Sequence, residues 1–259
     1  GSQHTIFLDF DGHVVSGTVW NEQGVAAARS PGWDPSGNGV ATLSAAEQSS
    51  ISEIWTRVAE DFAPFDVDVT TQDPGAAAIL RSSAADPVYG AHALVAPSNA
   101  FVTICDSKCG GVAFLDVFDT AYGPGGNGYG YLQPAWVFPQ GTGNDPKSVA
   151  EALAHEVGHQ LGLAHDGNAT EGYDAGHGSW APIMGLGYYR PISQWSKGDY
   201  ASANNQEDDV AIIGGILGLR TDEAPSPTSG APTVPGGTSY VSSRTDVDTY
   251  RLGTCTGSA

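Results

Sequence analysis

Residues 154–167 read AHEVGHQLGLAHDG and place three of the chain's seven histidines within eleven positions. On a helix, side chains four residues apart share one face, so His155 and His159 can bind the same metal ion. On a straight helix His165 would lie about 9 Å farther along the axis than His159, whereas a zinc–nitrogen bond measures ~2.1 Å. The chain must therefore turn. Gly162 stands where the turn is needed, because glycine adopts the left-handed conformation that ends helices.

The spacing HExxHxxGxxH predicts a metal centre with an open coordination position. Three neutral imidazoles, from His155, His159 and His165, leave a tetrahedral zinc ion with one position for water, as in catalytic zinc sites. Glu156 follows His155 directly and can take a proton from that water and pass it to a departing amine. We therefore predict three zinc ligands and Glu156 as general base. Three ordinary helix histidines are the alternative, but the full spacing is far more specific than HExxH alone.

At this point the sequence resembles a known family. HEVGHQLGLAHD (155–166) matches the extended zinc signature of the metzincin metallopeptidases, and APIMGLGYY (181–189) resembles their Met-turn, with Met184 as its methionine. The layout of residues 1–220 resembles bacterial secreted metzincins related to the reprolysin and adamalysin group. The resemblance implies a secreted zinc endopeptidase, made as a zymogen, that binds protein or peptide substrates in extended form. We expect it to act as a monomer.

The resemblance also assigns the strand that pairs with substrate. In this family a sheet-edge strand matching GVAFLDVF (111–118) lies above the cleft, and an exposed edge can add an extended peptide through main-chain hydrogen bonds. An ordinary sheet strand is the alternative. The residues assigned to this pairing are Gly111, Val112, Ala113 and Phe114.

One position departs from the family pattern. Some metzincins carry a zinc-associated tyrosine two residues after the Met-turn methionine, where this chain has Leu186. We therefore do not predict a tyrosine ligand. Tyr188 is our candidate for stabilising the oxyanion, with a role in packing as its alternative.

Three segments have the apolar periodicity of helices. The first, within 43–65, has Ser44 at its N-cap and a capping box. The second is the active-site helix, about 146–162, for which Asp145 is the N-cap. The third covers 205–220.

Short apolar runs divided by glycine and proline predict strands between these helices. The predicted strands are 4–10, 65–71, 91–98, 111–118 and 134–140. We predict an α/β (α+β) domain over 1–222 with a twisted sheet and a smaller helical C-terminal subdomain. The resemblance refines this to a metzincin-like zincin fold with a mostly parallel sheet, an antiparallel edge strand and two long helices.

Charge and composition exclude several classes of partner. The 259 residues include 10 lysines and arginines against 29 acids, a formal net charge of −19. Such a charge repels nucleic-acid phosphates and anionic membrane surfaces. No run approaches the ~18 apolar residues of a membrane span. We expect neither nucleic acid nor membrane as a partner.

Two further features suggest ions and an oxidising compartment. Asp9 and Asp11, and likewise Asp116 and Asp119, offer oxygen ligands suited to calcium, with turn amides or salt bridges as the alternative. Cys105 and Cys109 are close enough in sequence to form a disulfide, and disulfides persist mainly outside the cytosol. Metal binding is the alternative for this cysteine pair. The sites named here are Asp9, Asp11, Asp116, Asp119, Cys105 and Cys109.

The composition changes near residue 222. Residues 222–239 are rich in proline, serine, threonine and glycine, as in an extended linker. Residues 240–259 resemble the opening strands of the bacterial pre-peptidase C-terminal domain. We predict 223–259 to be a linker and the remnant of a second module, either mobile or exposed at the surface.

Two other functions fit the motif less well. A zinc amidase acting on non-protein amides, such as cell-wall peptides, would use the same chemistry. A non-catalytic binding module would keep the metal fold, but it would have no need of Glu156 as a base.

Overall fold

The computed structural model describes residues 1–39, 42–96, 105, 109–222, 224, 231–233, 240–241 and 245–251. Five of the strands form the main sheet, and two pairs form small separate sheets. The strands are β1 (His4–Asp9), β2 (Val14–Val15), β3 (Ala28–Arg29), β4 (Asp68–Thr70), β5 (Tyr89–Val95), β6 (Gly111–Val112), β7 (Ala135–Val137), β8 (Trp180–Pro182) and β9 (Ile192–Gln194). The helices are α1 (Val19–Glu22), α2 (Ala45–Asp61), α3 (Pro146–Gln160) and α4 (Asp209–Leu217).

The main sheet has the strand order β4-β1-β5-β7-β6. Its first four strands run parallel, and β6 pairs antiparallel with β7 at one edge. The central strands β1 and β5 are buried almost throughout, as expected of parallel strands that are covered on both faces. The prediction of a mixed α/β class is thereby confirmed, and the sheet is mostly parallel.

Two long helices pack together over this sheet. The α2 helix begins with the predicted capping box: Ser44 Oγ accepts a hydrogen bond from the Glu47 amide, and the Glu47 carboxylate accepts one from the Ser44 amide. Its buried face, which includes Ile54 and Val58, joins the apolar core that α3 shares with β1 and β5. The core thus holds α3, the helix that carries the histidines, firmly against the sheet.

The predicted strand 111–118 is wrong beyond its first two residues. Only Gly111–Val112 belongs to β6. Asp116 has a positive φ of 57°, which a strand does not allow. The amides of Asp116, Val117 and Phe118 instead donate to the carbonyls of His159 and Gln160. The segment turns away from the sheet because it satisfies the free carbonyls at the end of α3.

The third helix is shorter than the predicted 205–220. It starts at Asp209 because the Asp208 side chain accepts a hydrogen bond from the Ala211 amide and so acts as N-cap. It stops before Gly218, whose φ is 77°. In the same way, the strands predicted over 65–71 and 134–140 shorten to β4 and β7.

Most of 223–259 lies outside the described residues, as do 97–98 of the strand predicted over 91–98 and Cys255. The division between a domain at 1–222 and a second module stays a prediction. Within the described ranges, every helix is too short or too polar to cross a bilayer.

Candidate metal centre and cleft

The helix α3 begins and ends as its sequence predicts. The Asp145 carboxylate accepts a hydrogen bond from the Ser148 amide at 3.0 Å, and Pro146 is the first helical residue. The last helical residue is Gln160. Gly162 then adopts a φ of 94°, so the chain makes the turn that the histidine spacing requires.

This turn brings the three histidines together. Their ring centroids are 4.7 Å apart for His155–His159, 4.7 Å for His159–His165 and 5.3 Å for His155–His165. The Nε2 atoms of His159 and His165 are 2.9 Å apart. One nitrogen from each ring can therefore contact a single ion.

Backbone carbonyls orient two of the rings. The Nδ1 atom of His155 lies 2.9 Å from the Ile183 carbonyl oxygen, and that of His159 lies 2.8 Å from the Leu163 carbonyl oxygen. Because a carbonyl only accepts, each Nδ1 carries the hydrogen, and each Nε2 is left with a lone pair. Metal-ligating histidines are held in this way. The donor set therefore fits a zinc ion.

Burial keeps the imidazoles in the form that binds metal. It lowers the pKa of His155 to about 3 and that of His165 to about 4, in each case with a smaller contribution from a neighbouring histidine. Burial also lowers the pKa of His159. Neutral rings are the ligands that zinc requires.

Glu156 lies beside the histidines in a buried position. Its side chain is buried, and its Oε2 atom has no hydrogen-bond partner among the described residues. Burial raises the pKa of its carboxyl group well above the ordinary value. A carboxylate that retains a proton readily and contacts few protein groups is suited to exchanging protons with a substrate.

The edge strand β6 passes directly over this carboxylate. A Cβ atom on Gly111 would lie 2.6 Å from Glu156 Cγ and 2.7 Å from Oε1, so only glycine fits there. A cleft of about 520 Å³ opens beside it, lined by β6, His155, Glu156 and Tyr188 among others. Of the residues assigned to substrate pairing, Gly111 and Val112 line the cleft, whereas the Phe114 ring packs on Trp20 at 4.2 Å.

Met184 lies beneath the histidine helix, where a Met-turn methionine is expected. It is fully buried. A Cβ atom on Gly158 would lie 2.5 Å from Met184 Sδ, so the methionine packs closely against α3 between its two histidines. The amide of Asp166, the residue after His165, donates to the Met184 carbonyl. Met184 thus contacts both sides of the candidate metal centre.

Three tyrosines lie near the cleft, and the structure distinguishes their roles. Tyr188 is half-buried and lines the cleft, and its pKa is raised by burial and by the charge of Glu156. Tyr189 points to solvent with 79% of its surface exposed. Tyr173, which the sequence does not single out, packs against His165 with ring centroids 4.2 Å apart and the rings tilted by 40°. It lies in a loop without periodicity, so no sequence signal indicates its position.

The four aspartates assigned to calcium do not come together. Asp9 contacts His92 and lies near His13, whereas Asp119 forms an ion pair with Arg81. Asp11 and Asp116 belong to none of the metal-compatible groups among the described residues. Calcium at these residues stays a prediction.

The cysteine pair that is predicted to form a disulfide lies in the wall of the cleft. Cys105 and Cys109 lie at disulfide-bonding distance with their Cα atoms 5.8 Å apart. Both line the cleft next to β6. This cross-link holds the chain that leads into the edge strand.

Comparison with protein-family models finds none that matches the chain, and comparison with curated proteins finds no match.

Proposed function

We propose that the protein is a zinc-dependent hydrolase and, more narrowly, a secreted endopeptidase that cleaves extended peptides. The observation that carries the proposal is the convergence of three neutral imidazoles on one point, with the buried Glu156 beside them. A bound zinc ion would act as a Lewis acid towards the scissile carbonyl and the attacking water. His155, His159 and His165 would hold the ion.

Glu156 is the proton carrier in this proposal. Its carboxylate accepts a proton from the attacking water and delivers it to the nitrogen of the leaving amine. The raised pKa favours the protonated form once the proton has been accepted. Glu156 also favours a hydrolase over a binding module, because a structural metal ion needs no general base.

The edge strand supports a peptide as the substrate. At the sheet edge, β6 pairs with β7 on one side. An extended peptide can add to its other side as an antiparallel strand. Gly111 brings this backbone close to Glu156, so a paired substrate would place its amide bonds beside the base. The Tyr188 hydroxyl is proposed to stabilise the developing oxyanion.

The experiment compares substrates and metal states. The purified chain is treated with a chelator, reloaded with zinc, and assayed on an unfolded protein and on cell-wall stem peptides. We expect cleavage of the unfolded protein that is lost on chelation and restored by zinc. Cleavage of the stem peptides alone would favour the amidase. No cleavage of either substrate by the zinc-loaded chain would contradict the proposal.

A further inference from the structure

A second group of histidine and carboxylate side chains is buried at the carboxyl end of β1. Asp9 ends this strand, His92 lies in the neighbouring strand β5, and His13 follows in the loop that leads to β2. Asp9 is 3% exposed, His13 9% and His92 0%. None of the three lines the cleft that contains Glu156. The metal centre described above therefore does not account for them.

His13 is oriented in the same way as the histidines of the first centre. Its Nε2 atom lies 2.7 Å from the carbonyl oxygen of Gly126. Because the carbonyl only accepts, Nε2 carries the hydrogen and Nδ1 is left with a lone pair. That Nδ1 atom lies 3.8 Å from Asp9 Oδ2. His155 and His159 show the same combination, a carbonyl on one nitrogen and a cluster of ligand atoms on the other.

The Asp9 carboxylate is also fixed. Its Oδ1 atom accepts hydrogen bonds from the amides of Asp11 at 2.9 Å and Gly12 at 3.1 Å. The Oδ2 atom lies 2.9 Å from His92 Nε2, within hydrogen-bond distance. Ligating carboxylates are held by hydrogen bonds of this kind. One oxygen is thus anchored to the backbone, and the other is directed at the two histidines.

A hydrogen-bond network alone leaves one contact unexplained. His13 Nδ1 and Asp9 Oδ2 lie 3.8 Å apart, a distance that is too long for a hydrogen bond even if Nδ1 were protonated. Two ligand atoms of one ion, each bonded at ~2.1 Å, can be separated by this distance. A cation bound between the two atoms would account for this separation.

We infer that Asp9, His13 and His92 bind a second metal ion, a divalent transition metal with zinc as the expected occupant. The ligand atoms are Asp9 Oδ2, His13 Nδ1 and His92 Nε2, which lie within 4.8 Å of one another. Two imidazoles and one carboxylate suit zinc and its neighbours in the periodic table, whereas calcium takes six to eight oxygen ligands. This inference is independent of the proposed hydrolase activity.

The surroundings indicate a structural ion and not a second catalytic one. The ring of Tyr129 lies 4.8 Å from that of His92 and 4.9 Å from that of His13, measured between centroids. It is itself buried and covers the group. Among the described residues, an ion enclosed in this way has little access to a substrate. The ion would instead join β1, β5 and the loop that carries His13.

The test is the number of zinc ions per chain. The full chain is loaded with zinc, dialysed against metal-free buffer and analysed by mass spectrometry. We expect two zinc ions in the wild type and one in the His155→Ala/His159→Ala variant, which lacks the first centre. In that background, His13→Ala and, separately, Asp9→Asn should remove the remaining ion. His177→Ala, which alters an exposed histidine, should leave two.

Several outcomes would overturn the inference. A wild-type chain with a single zinc ion contradicts it if that ion is lost in the His155→Ala/His159→Ala variant. So does a folded His155→Ala/His159→Ala variant that holds no zinc, or one whose zinc ion survives both His13→Ala and Asp9→Asn. Circular dichroism confirms that each variant is folded. Cobalt in place of zinc provides a second readout, because visible absorption must remain in the variant without the first centre and disappear with His13→Ala.

Discussion

Gly111 is the residue that sets the distance between the sheet edge and the base. Because a Cβ atom there would overlap Glu156, Gly111→Ala should displace the carboxylate or the strand. We expect kcat/KM on an unfolded substrate to fall by about 10²-fold, the typical cost of a small misplacement of catalytic groups, with zinc content unchanged. Gly123→Ala is the matched control, because its Cβ would meet no atom within 4 Å. Equal activity of the two variants would contradict a close approach of Gly111 to Glu156.

Tyr188 and Tyr189 form a natural pair for testing oxyanion stabilisation. Tyr188 lines the cleft, and its neighbour is exposed. Removal of one oxyanion donor typically costs about 10²–10³ in kcat. We therefore expect Tyr188→Phe to lower kcat by that factor with little change in KM, and Tyr189→Phe to leave both constants unchanged. A Tyr188→Phe variant with normal kcat would assign this side chain to packing.

The residues of the candidate metal centre could be predicted where they lie close together in the sequence. His155, His159 and His165 lie within one helix and its turn, so spacing alone indicates that they meet. Tyr173 has no such spacing, and only the fold brings its ring onto His165. Asp9 and His92 are far apart in the sequence and meet because β1 and β5 are adjacent.

The N-cap of α3 can be tested by substituting Asp145. Asp145 accepts a hydrogen bond from the Ser148 amide, one of the amides that the helix itself cannot satisfy. Asp145→Ala should lower the free energy of unfolding by about 1 kcal/mol, whereas Asp145→Asn keeps an acceptor and should cost little. Denaturant unfolding curves measure both. Equal losses for the two substitutions would show that capping is not the cause.

Helices could be predicted more fully than strands in this chain. The caps of α2 and α3 are formed by residues next to the helices, so the sequence contains the whole signal. The end of β6 depends instead on the amides of 116–118 finding carbonyls at the end of α3. These hydrogen bonds are tertiary contacts, and the apolar pattern of 111–118 does not indicate them.

A buried carboxyl group makes the stability of the folded chain depend on pH. Asp209 is fully buried, and burial, together with nearby acids such as Asp166, raises its pKa to about 8 from an ordinary value of 3.8. The folded chain therefore retains a proton that the unfolded chain releases. The contribution of this group to stability is complete below pH 3.8 and is lost as the pH rises through about 8.

Asp209→Asn should remove this dependence while keeping an oxygen for the Ser196 amide, which donates to Asp209 Oδ2 at 2.8 Å. We expect the variant to lose less stability than the wild type between about pH 5 and about pH 9. Thermal unfolding across that range measures the difference. Asp68→Asn alters an exposed carboxylate and should follow the wild type. If the stability of Asp209→Asn changed with pH in parallel with that of the wild type, Asp209 would not be the group responsible.

The role of Glu156 as general base can be tested by comparing three forms of the chain. The wild-type chain, Glu156→Gln and Glu53→Gln are loaded with zinc, shown to contain equal metal, and assayed for cleavage of an unfolded protein. Glu53 lies exposed on α2 in an ion pair with Arg57 and provides the matched control. We predict normal cleavage by Glu53→Gln and a loss of several orders of magnitude in Glu156→Gln. Substantial cleavage by a zinc-loaded Glu156→Gln chain would contradict the assignment of Glu156 as the general base.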